Sequence, residues 1–371
     1  MKKNLKIGLV HDWLVSMRGG EKVFEVFCEL FPDAVVGTLV HRKGYVSSTI
    51  ESHIIKTSFL QKLPYSSRKY QYYLPLFPSA IENLDFSDYD VVISSSHAVA
   101  KGVKTGKDTL HICYCHTPMR YIWDQYENYF DRERSSIFIR TGMKISLPYL
   151  RQWDINSSRS VNYFIANSKN VQNRIQRLYK RDADVIYPPV DTSRFNLSKE
   201  DEGYFLIVSA LVPYKRIDIA IEAFNLLGYR LVIAGSGQEE QRLKLIAKSN
   251  IEFAGWVDDK KLIKLYSGCR ALVFPGEEDF GIVPVEAMAA GKPVIAYEAG
   301  GALETVVQGV TGIFFKEQNP EAICNAVKGL VEFNLNPEII RSHALNFDKN
   351  VFRKKVEKYI NEKMEEWGLN I

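Results

Sequence analysis

The sequence predicts an α/β chain built from two doubly wound parallel-sheet domains, each Rossmann-like, facing one another across a cleft. Three observations carry this. Short apolar runs alternate with helix-period segments from end to end. The runs read as buried strands followed by crossover helices, which implies parallel sheets. Near the middle of the 371 residues, Tyr187-Pro188-Pro189-Val190-Asp191 breaks the pattern, because paired prolines stiffen the chain and end regular structure.

Taken in order, Leu5–Val10, Val91–Ser95, Leu110–Cys115 and Asn162–Ala166 read as strands of a first sheet. Tyr204–Ser209, Arg230–Ala234, Ile251–Phe253, Ala271–Phe274 and Pro293–Tyr297 read as strands of a second. Helices are expected over Gly20–Leu30, Ile217–Leu227, Asp259–Ser267 and Pro284–Ala290. Strand–helix alternation demands crossover connections and hence parallel sheets. The expected domains are residues 1–188 and 189–350, with a C-terminal helix over about 351–371 packing back on the first. That helix is polar but carries Phe352, Val356 and Ile360 at near-helical spacing.

Two stretches fit a plain βα unit poorly. Ile54–Phe86 mixes Tyr, Phe, Leu and Pro with Lys56, Lys62, Arg68 and Lys69. Arg132–Trp153 sets Arg132, Arg134, Arg140, Lys144 and Arg151 among Ile137, Phe138, Ile139, Leu147 and Leu150. Both suit core-facing helices with a solvated basic side first, and basic amphipathic helices on an anionic membrane surface second.

Bulk composition excludes several classes. Apolar residues make up 46% and charged residues 25%, the values of a globular protein. The run Ile7–Val10 is too short for a signal-peptide core, and nowhere do eighteen apolar residues run unbroken. A cytoplasmic location follows as the expectation. The five cysteines (Cys28, Cys113, Cys115, Cys269, Cys324) are scattered, form no C-x-x-C pair and read as reduced core thiols, with no metal site. Net charge is +4, unevenly spread: residues 1–190 carry 26 basic against 18 acidic side chains, and the remainder 22 against 26. A basic front half suits phosphate or lipid headgroups, and no nucleic-acid-binding motif accompanies it.

The sharpest signal runs from Ala271 to Gly301. A strand leads into the loop Pro275-Gly276-Glu277-Glu278-Asp279-Phe280-Gly281, then a helix, a Gly291 cap and a further strand. A loop after a buried strand points backbone N–H groups and the next helix N-terminus at a bound anion such as a diphosphate. Glu278 and Glu286 stand eight residues apart, and carboxylates accept hydrogen bonds from sugar or ribose hydroxyls. Rival nucleotide signatures fail. Gly235-Ser236-Gly237 is followed by Gln238-Glu239-Glu240 where a third glycine is required for dinucleotide binding, and there is no Walker A lysine loop.

Phe274-Pro275, Glu278 through Ala289, and Gly291-Lys292-Pro293-Val294 together resemble the E-x7-E region of the retaining family 4 glycosyltransferases. Gly300-Gly301-Ala302-Leu303-Glu304, Gly309-Val310-Thr311-Gly312, Phe253-Ala254-Gly255-Trp256-Val257 and Leu211-Val212-Pro213-Tyr214-Lys215-Arg216 extend the likeness over nearly all of the second half. The resemblance implies a GT-B fold, a nucleotide-diphosphate sugar as donor substrate, no cofactor and no required metal. It gives Glu278 to the donor sugar hydroxyls, Glu286 to the ribose and Lys215 to the departing diphosphate. Phe280, Gly281 and Ile282 would offer backbone N–H groups, and Trp256 and Val257 would flank the base. The family places an arginine five residues before the lysine. Ala210 stands there, and Arg216 is the candidate replacement, as in a subgroup resembling O-antigen mannosyltransferases.

The first half matches less closely. Gly19-Gly20 follows the first strand and resembles the family's glycine loop, and His116 in Cys115-His116-Thr117-Pro118 resembles its active-site histidine. His11 and Asp12 end the first strand, His97 ends another, and Tyr121 and Trp123 follow His116. These are candidates for an acceptor pocket, or for packing alone. His116, Lys215 and Glu278 are thus the expected catalytic group. The resemblance implies transfer of a hexose with retention, mannose from GDP-mannose first and UDP-linked sugars next, onto a lipid-linked oligosaccharide of the lipopolysaccharide type. The basic front half would bring the protein to the inner face of a membrane. A non-catalytic nucleotide-sugar-binding partner is the alternative from another class.

Overall fold

The computed structural model of the protein describes residues 5–124, 137–330, 333 and 335–369. The chain divides into two compact units, Met1–Tyr187 with Arg353–Ile371, and Pro188–Phe352.

In the first unit the strands are β1 (Ile7–His11), β2 (Val35–Thr38), β3 (Ile55–Thr57), β4 (Asp85–Phe86), β5 (Val91–Ser96), β6 (Lys104–Thr105), β7 (Leu110–Cys115), β8 (Tyr163–Ala166) and β9 (Asp184–Val185). Seven form a parallel sheet in the order β3-β2-β1-β5-β7-β8-β9, and β4 pairs with β6. Every residue of β5 and β7 is buried, which explains their mainly apolar and small-residue sequence; the exception, His111, pairs with Ser94 Oγ at 2.8 Å. One apolar layer gathers Val10, Phe77, Phe86, Val92 and Leu150; another gathers Phe164, Val171, Ile175 and Tyr179. The chain winds outward from β1 to β3 and then restarts at β5 on the other side of β1. The order therefore reverses between β1 and β5, where crossovers on opposite faces leave a crevice at the carboxyl ends.

The second unit repeats the plan with β10 (Tyr204–Val208), β11 (Arg230–Ala234), β12 (Ile251–Gly255), β13 (Ala271–Phe274), β14 (Val294–Tyr297) and β15 (Gly312–Phe315). Its order is β12-β11-β10-β13-β14-β15, all parallel, with the reversal between β10 and β13. That is the strand order of dinucleotide-binding sheets, although the dinucleotide glycine signature is absent. The Ile282–Ala289 helix lies close on this sheet because Ala287 and Ala289 present only methyl groups and are fully buried.

β2, β3, β9 and β15 were not among the strands expected from the sequence. β3 and β9 are three and two residues long and include Lys56 and Asp184, so they carry no apolar run to detect. The Ile54–Phe86 stretch breaks after β3 into short turns of helix over Phe59–Lys62, Ser66–Lys69, Tyr70–Leu76 and Phe77–Glu82. Leu60, Leu74, Phe77 and Ile81 enter the core, whereas Tyr65, Tyr72 and Leu76 stay exposed. The Ile137–Ser157 helix buries Met143, Leu150 and Trp153 and exposes Ile145 and Tyr149. Arg132 and Arg134, and the side chains of Ile137, Phe138 and Ile139, lie outside the described residues. Among the described residues no helix is long and apolar enough to cross a membrane. All five cysteines are buried free thiols. The Lys349–Glu366 helix buries Phe352, Val356, Ile360 and Met364. Beyond Arg353 it packs in the first unit, where Tyr359 donates to Asp184 (3.0 Å) and Trp367 to the Asp108 carbonyl (3.2 Å).

Candidate functional site

At the reversal point of the second sheet, the loops after β10 and β13 meet. Their closeness depends on Gly276. A Cβ there would lie 2.8 Å from Lys215 Cα and 3.0 Å from the Tyr214 carbonyl oxygen, inside van der Waals contact with backbone. The loops therefore touch main chain to main chain, and Lys215 Nζ forms an ion pair with Glu278 Oε1. Lys215 follows Pro213-Tyr214 in one 3-10 turn. Arg216 then takes a left-handed backbone (φ +50) and starts the Ile217–Leu227 helix. Its guanidinium faces Asp218 at 3.3 Å, while Ala210 lies exposed just beyond β10.

Gly281 caps the Ile282–Ala289 helix with φ +92, a conformation that side chains with a Cβ resist. The first N–H groups of this helix have no partner within it, and the helix dipole makes them an anion site. Phe280 is buried edge-on against Phe347, with centroids 5.6 Å apart, and anchors the loop. The Glu278 carbonyl accepts from Gly301 N at 2.8 Å, which ties the loop to the Gly300-Gly301 turn after β14. Glu286, in the second turn of the helix, is buried and accepts from the Tyr266 hydroxyl at 2.9 Å. Trp256 follows β12 and is 78% exposed, an aromatic face without a protein cover; Val257 beside it is half-buried. The structure thus brings Lys215, Glu278, Phe280, Gly281, Ile282 and Glu286 onto two adjoining loops and one helix end. A cation, two carboxylates and the backbone N–H groups at the helix start can in this order hold a diphosphate flanked by two hydroxylated groups.

In the first unit the reversal point between β1 and β5 gathers three histidines. Ring centroids of His11, His97 and His116 stand 5.8–6.3 Å apart. Ser95 Oγ lies between two of them, 3.1 Å from His11 Nδ1 and 2.8 Å from His116 Nε2. One hydroxyl can donate only once, so one imidazole accepts from Ser95 and the other donates to it. Burial, with His97 nearby, lowers the His116 pKa to about 3 and that of His11 well below its ordinary value. Both rings are neutral near pH 7 and act as hydrogen-bonding groups rather than as cations. Gly20, at the start of the Gly19–Leu30 helix, borders the same rings: a Cβ on it would sit 3.4 Å from His11 Cε1 and 3.7 Å from His116 Nε2. The adjoining Gly19 begins that helix, and buried Glu21 accepts from Arg18 N at 3.0 Å.

Asp12 is fully buried and its carboxylate is occupied. Oδ2 accepts from His97 N (2.7 Å) and Ala98 N (3.0 Å), and Oδ1 from Val99 N (2.6 Å) and Ala100 N (2.7 Å). His97 Nδ1 adds a further contact at 3.1 Å. Asp12 therefore shapes the loop that carries His97, which is a positioning geometry rather than one open to an acceptor. Trp123 likewise donates to Asp154 at 2.8 Å and packs with Tyr121 against the core. Ser95, Gly276 and Tyr266 belong to these sites and had no assigned part in the sequence reading. Gly276 alone carried a signal, a Pro-Gly pair directly after a buried strand.

The comparisons with known proteins fit this geometry. Residues 190–347 match the model for "Glycosyl transferases group 1", and residues 47–194 match that for "Glycosyltransferase Family 4". The uncharacterized glycosyltransferase MJ1178 of Methanocaldococcus jannaschii is 31% identical over 172 residues, covering 45% of this chain and 49% of that protein. The match thus spans about half the length of this curated relative. The O-antigen chain mannosyltransferase RfbU of Salmonella typhimurium is 25% identical over 316 residues, 80% of this chain and 81% of RfbU. In fold, the chain is similar to Anabaena Alr3699/HepE, solved in complex with UDP-glucose, with a TM-score of 0.71 and 18% identity over 97% of this chain and 100% of the other. With both family models placed end to end from residue 47 to residue 347 on two doubly wound sheets, the chain belongs to the family 4 glycosyltransferases and has their GT-B fold.

Proposed function

We propose that this protein transfers a hexose from a nucleotide-diphosphate sugar, with GDP-mannose as first choice, onto a lipid-linked oligosaccharide in surface-polysaccharide synthesis. The observation that carries the reading is the contact of the Lys215 loop with the Glu278 loop beside the Gly281-capped helix that bears Glu286. Glu286 holds the ribose, and Glu278 holds hydroxyls of the sugar. The helix N-terminus and Lys215 receive the diphosphate, and Trp256 covers the base.

In the reaction the bond between the anomeric carbon and the diphosphate oxygen breaks, and its electron pair leaves with the nucleoside diphosphate. The acceptor oxygen bonds to the anomeric carbon from the same face, so configuration is retained. The acceptor proton passes to the departing phosphate oxygen, and no protein nucleophile is needed. Lys215 and the backbone donors stabilise the charge that grows on that oxygen, which lowers the barrier without a metal ion. RfbU supports mannose and an O-antigen-type product by its name. A UDP-linked donor is the second reading, favoured by the UDP-glucose held by the Anabaena protein.

The exposed Tyr65, Tyr72 and Leu76, set among exposed Lys62, Arg68 and Lys69, are the part of the basic front half suited to a membrane surface. Melting the full chain against GDP-, UDP- and dTDP-sugars tests the donor, because ligand binding adds stability by mass action. GDP-mannose should give the largest upward shift, and a panel in which no sugar nucleotide shifts the transition overturns the reading.

A further inference from the structure

We infer that Tyr266 is a positioning residue for the nucleotide ribose: its hydroxyl fixes the direction in which the Glu286 carboxylate faces. This rests on the reading of Glu286 as the ribose-binding group. The Tyr266 hydroxyl donates to Glu286 Oε2 at 2.9 Å, and both groups are buried. Tyr266 stands in the last turn of the Asp259–Gly268 helix, whose start is fixed by Asp258 accepting from Lys261 N at 2.8 Å. Its ring meets Phe195 edge-on, with centroids 5.5 Å apart and planes at 85°. Its carbonyl accepts from Cys269 Sγ at 3.3 Å. The phenol is therefore held at ring, hydroxyl and backbone.

Glu286 has three side-chain torsions and, on a helix facing the ligand, several rotamers to choose from. A carboxylate offers about four lone-pair directions, and the phenol occupies one of them. Two hydroxyls on adjacent ribose carbons need both oxygens of a carboxylate in a fixed plane, so a contact that sets this plane before binding removes an ordering cost from it. The donor role is constant with pH. Burial and the neighbouring Glu286 charge hold the Tyr266 pKa well above its ordinary value, so the hydroxyl keeps its proton.

The test is calorimetric binding, on the full chain, of the nucleoside diphosphate of the preferred donor and of its 2′,3′-dideoxy analogue. Wild type, Tyr266→Phe and Glu286→Gln are compared. Phenylalanine keeps the ring and its packing and removes only the oxygen. The ratio of the two affinities within one variant is insensitive to general loss of stability. Wild type should prefer the ribonucleotide. Tyr266→Phe should lower that preference about tenfold, the scale of one hydrogen bond to a charged group, with dideoxy affinity unchanged. A preference within twofold of wild type in Tyr266→Phe, or equal weakening of both nucleotides, overturns the inference and leaves the ribose role of Glu286 standing. Absence of any preference in wild type itself overturns that role, and the inference with it.

Discussion

Replacing Gly276 with alanine would place a methyl group between the two loops of the proposed donor site. The added Cβ would stand 2.8 Å from Lys215 Cα. Relaxing that contact to about 3.5 Å, near the usual carbon–carbon separation, moves the Lys215 loop by about 0.7 Å. The neighbour that must yield is backbone, so rotation of a side chain cannot absorb the clash. Gly276 lies outside the left-handed region, and alanine adds no torsional strain of its own. The displacement falls on the group meant to meet the departing diphosphate, while Glu286 and its helix are anchored elsewhere. Misplacement of a reacting group by about 1 Å costs on the order of 100-fold. A loss of about 10- to 100-fold in kcat/KM follows for Gly276→Ala, with nucleoside diphosphate affinity changed only a few-fold. The assay is initial-rate transfer with the donor chosen by thermal shift, alongside calorimetric nucleotide binding. Gly142→Ala is the control. That glycine sits inside the Ile137–Ser157 helix with nothing within 4 Å of an added Cβ, so the change should raise stability by about 0.5–1 kcal/mol and leave kinetics alone. A Gly276→Ala enzyme with kcat/KM within twofold of wild type would refute the reasoning.

Three further outcomes are expected. Lys215→Ala and Glu278→Gln should each lower kcat/KM by about 100-fold or more and combine less than additively, since the two side chains touch; strict additivity in the rates would show that they act apart. His11 and His116 have folded pKa values depressed below their unfolded ones, so the unfolded chain binds more protons in the interval between. Their contribution is present above about pH 6.5 and is lost as pH falls towards the folded values, about 3 for His116, by up to about 1.4 kcal/mol per pH unit for each. Denaturant titrations should show this slope, reduced in His116→Asn, and an unchanged slope contradicts it. Exhaustive chelation should leave transfer intact if, as proposed, Lys215 and the helix N-terminus carry the diphosphate charge; a lost rate that returns with a divalent cation would contradict that assignment.

Much of the architecture was legible because it is written in long, redundant signals. β5, β10 and β13 are buried on both faces and read as unbroken apolar or small-residue runs, and β7 does so apart from His111. β3 and β9 are too short and too polar to form such runs, and only pairing to β2 and β8 makes them strands. Site residues divide in the same way. Glu278, Gly281 and Glu286 lie within nine residues of one another, so local spacing exposed them together. Tyr266 meets Glu286 across two helices, and nothing in a Leu-Tyr-Ser stretch tells its hydroxyl from that of any core tyrosine. Asp12 illustrates the opposite case. Its place at a strand end suggested contact with an acceptor, yet four backbone N–H groups from residues 97–100 consume its oxygens. Sequence position marks the crevice, and only the fold shows which side chains are already engaged there.

The central claim is where the sugar nucleotide sits, and amide hydrogen exchange on the full chain reads this directly. Added donor should slow exchange in the segments spanning residues 211–217 and 275–286, with the backbone N–H groups after Gly281 protected most. Saturating donor that leaves both segments unchanged while protecting amides elsewhere would contradict the account.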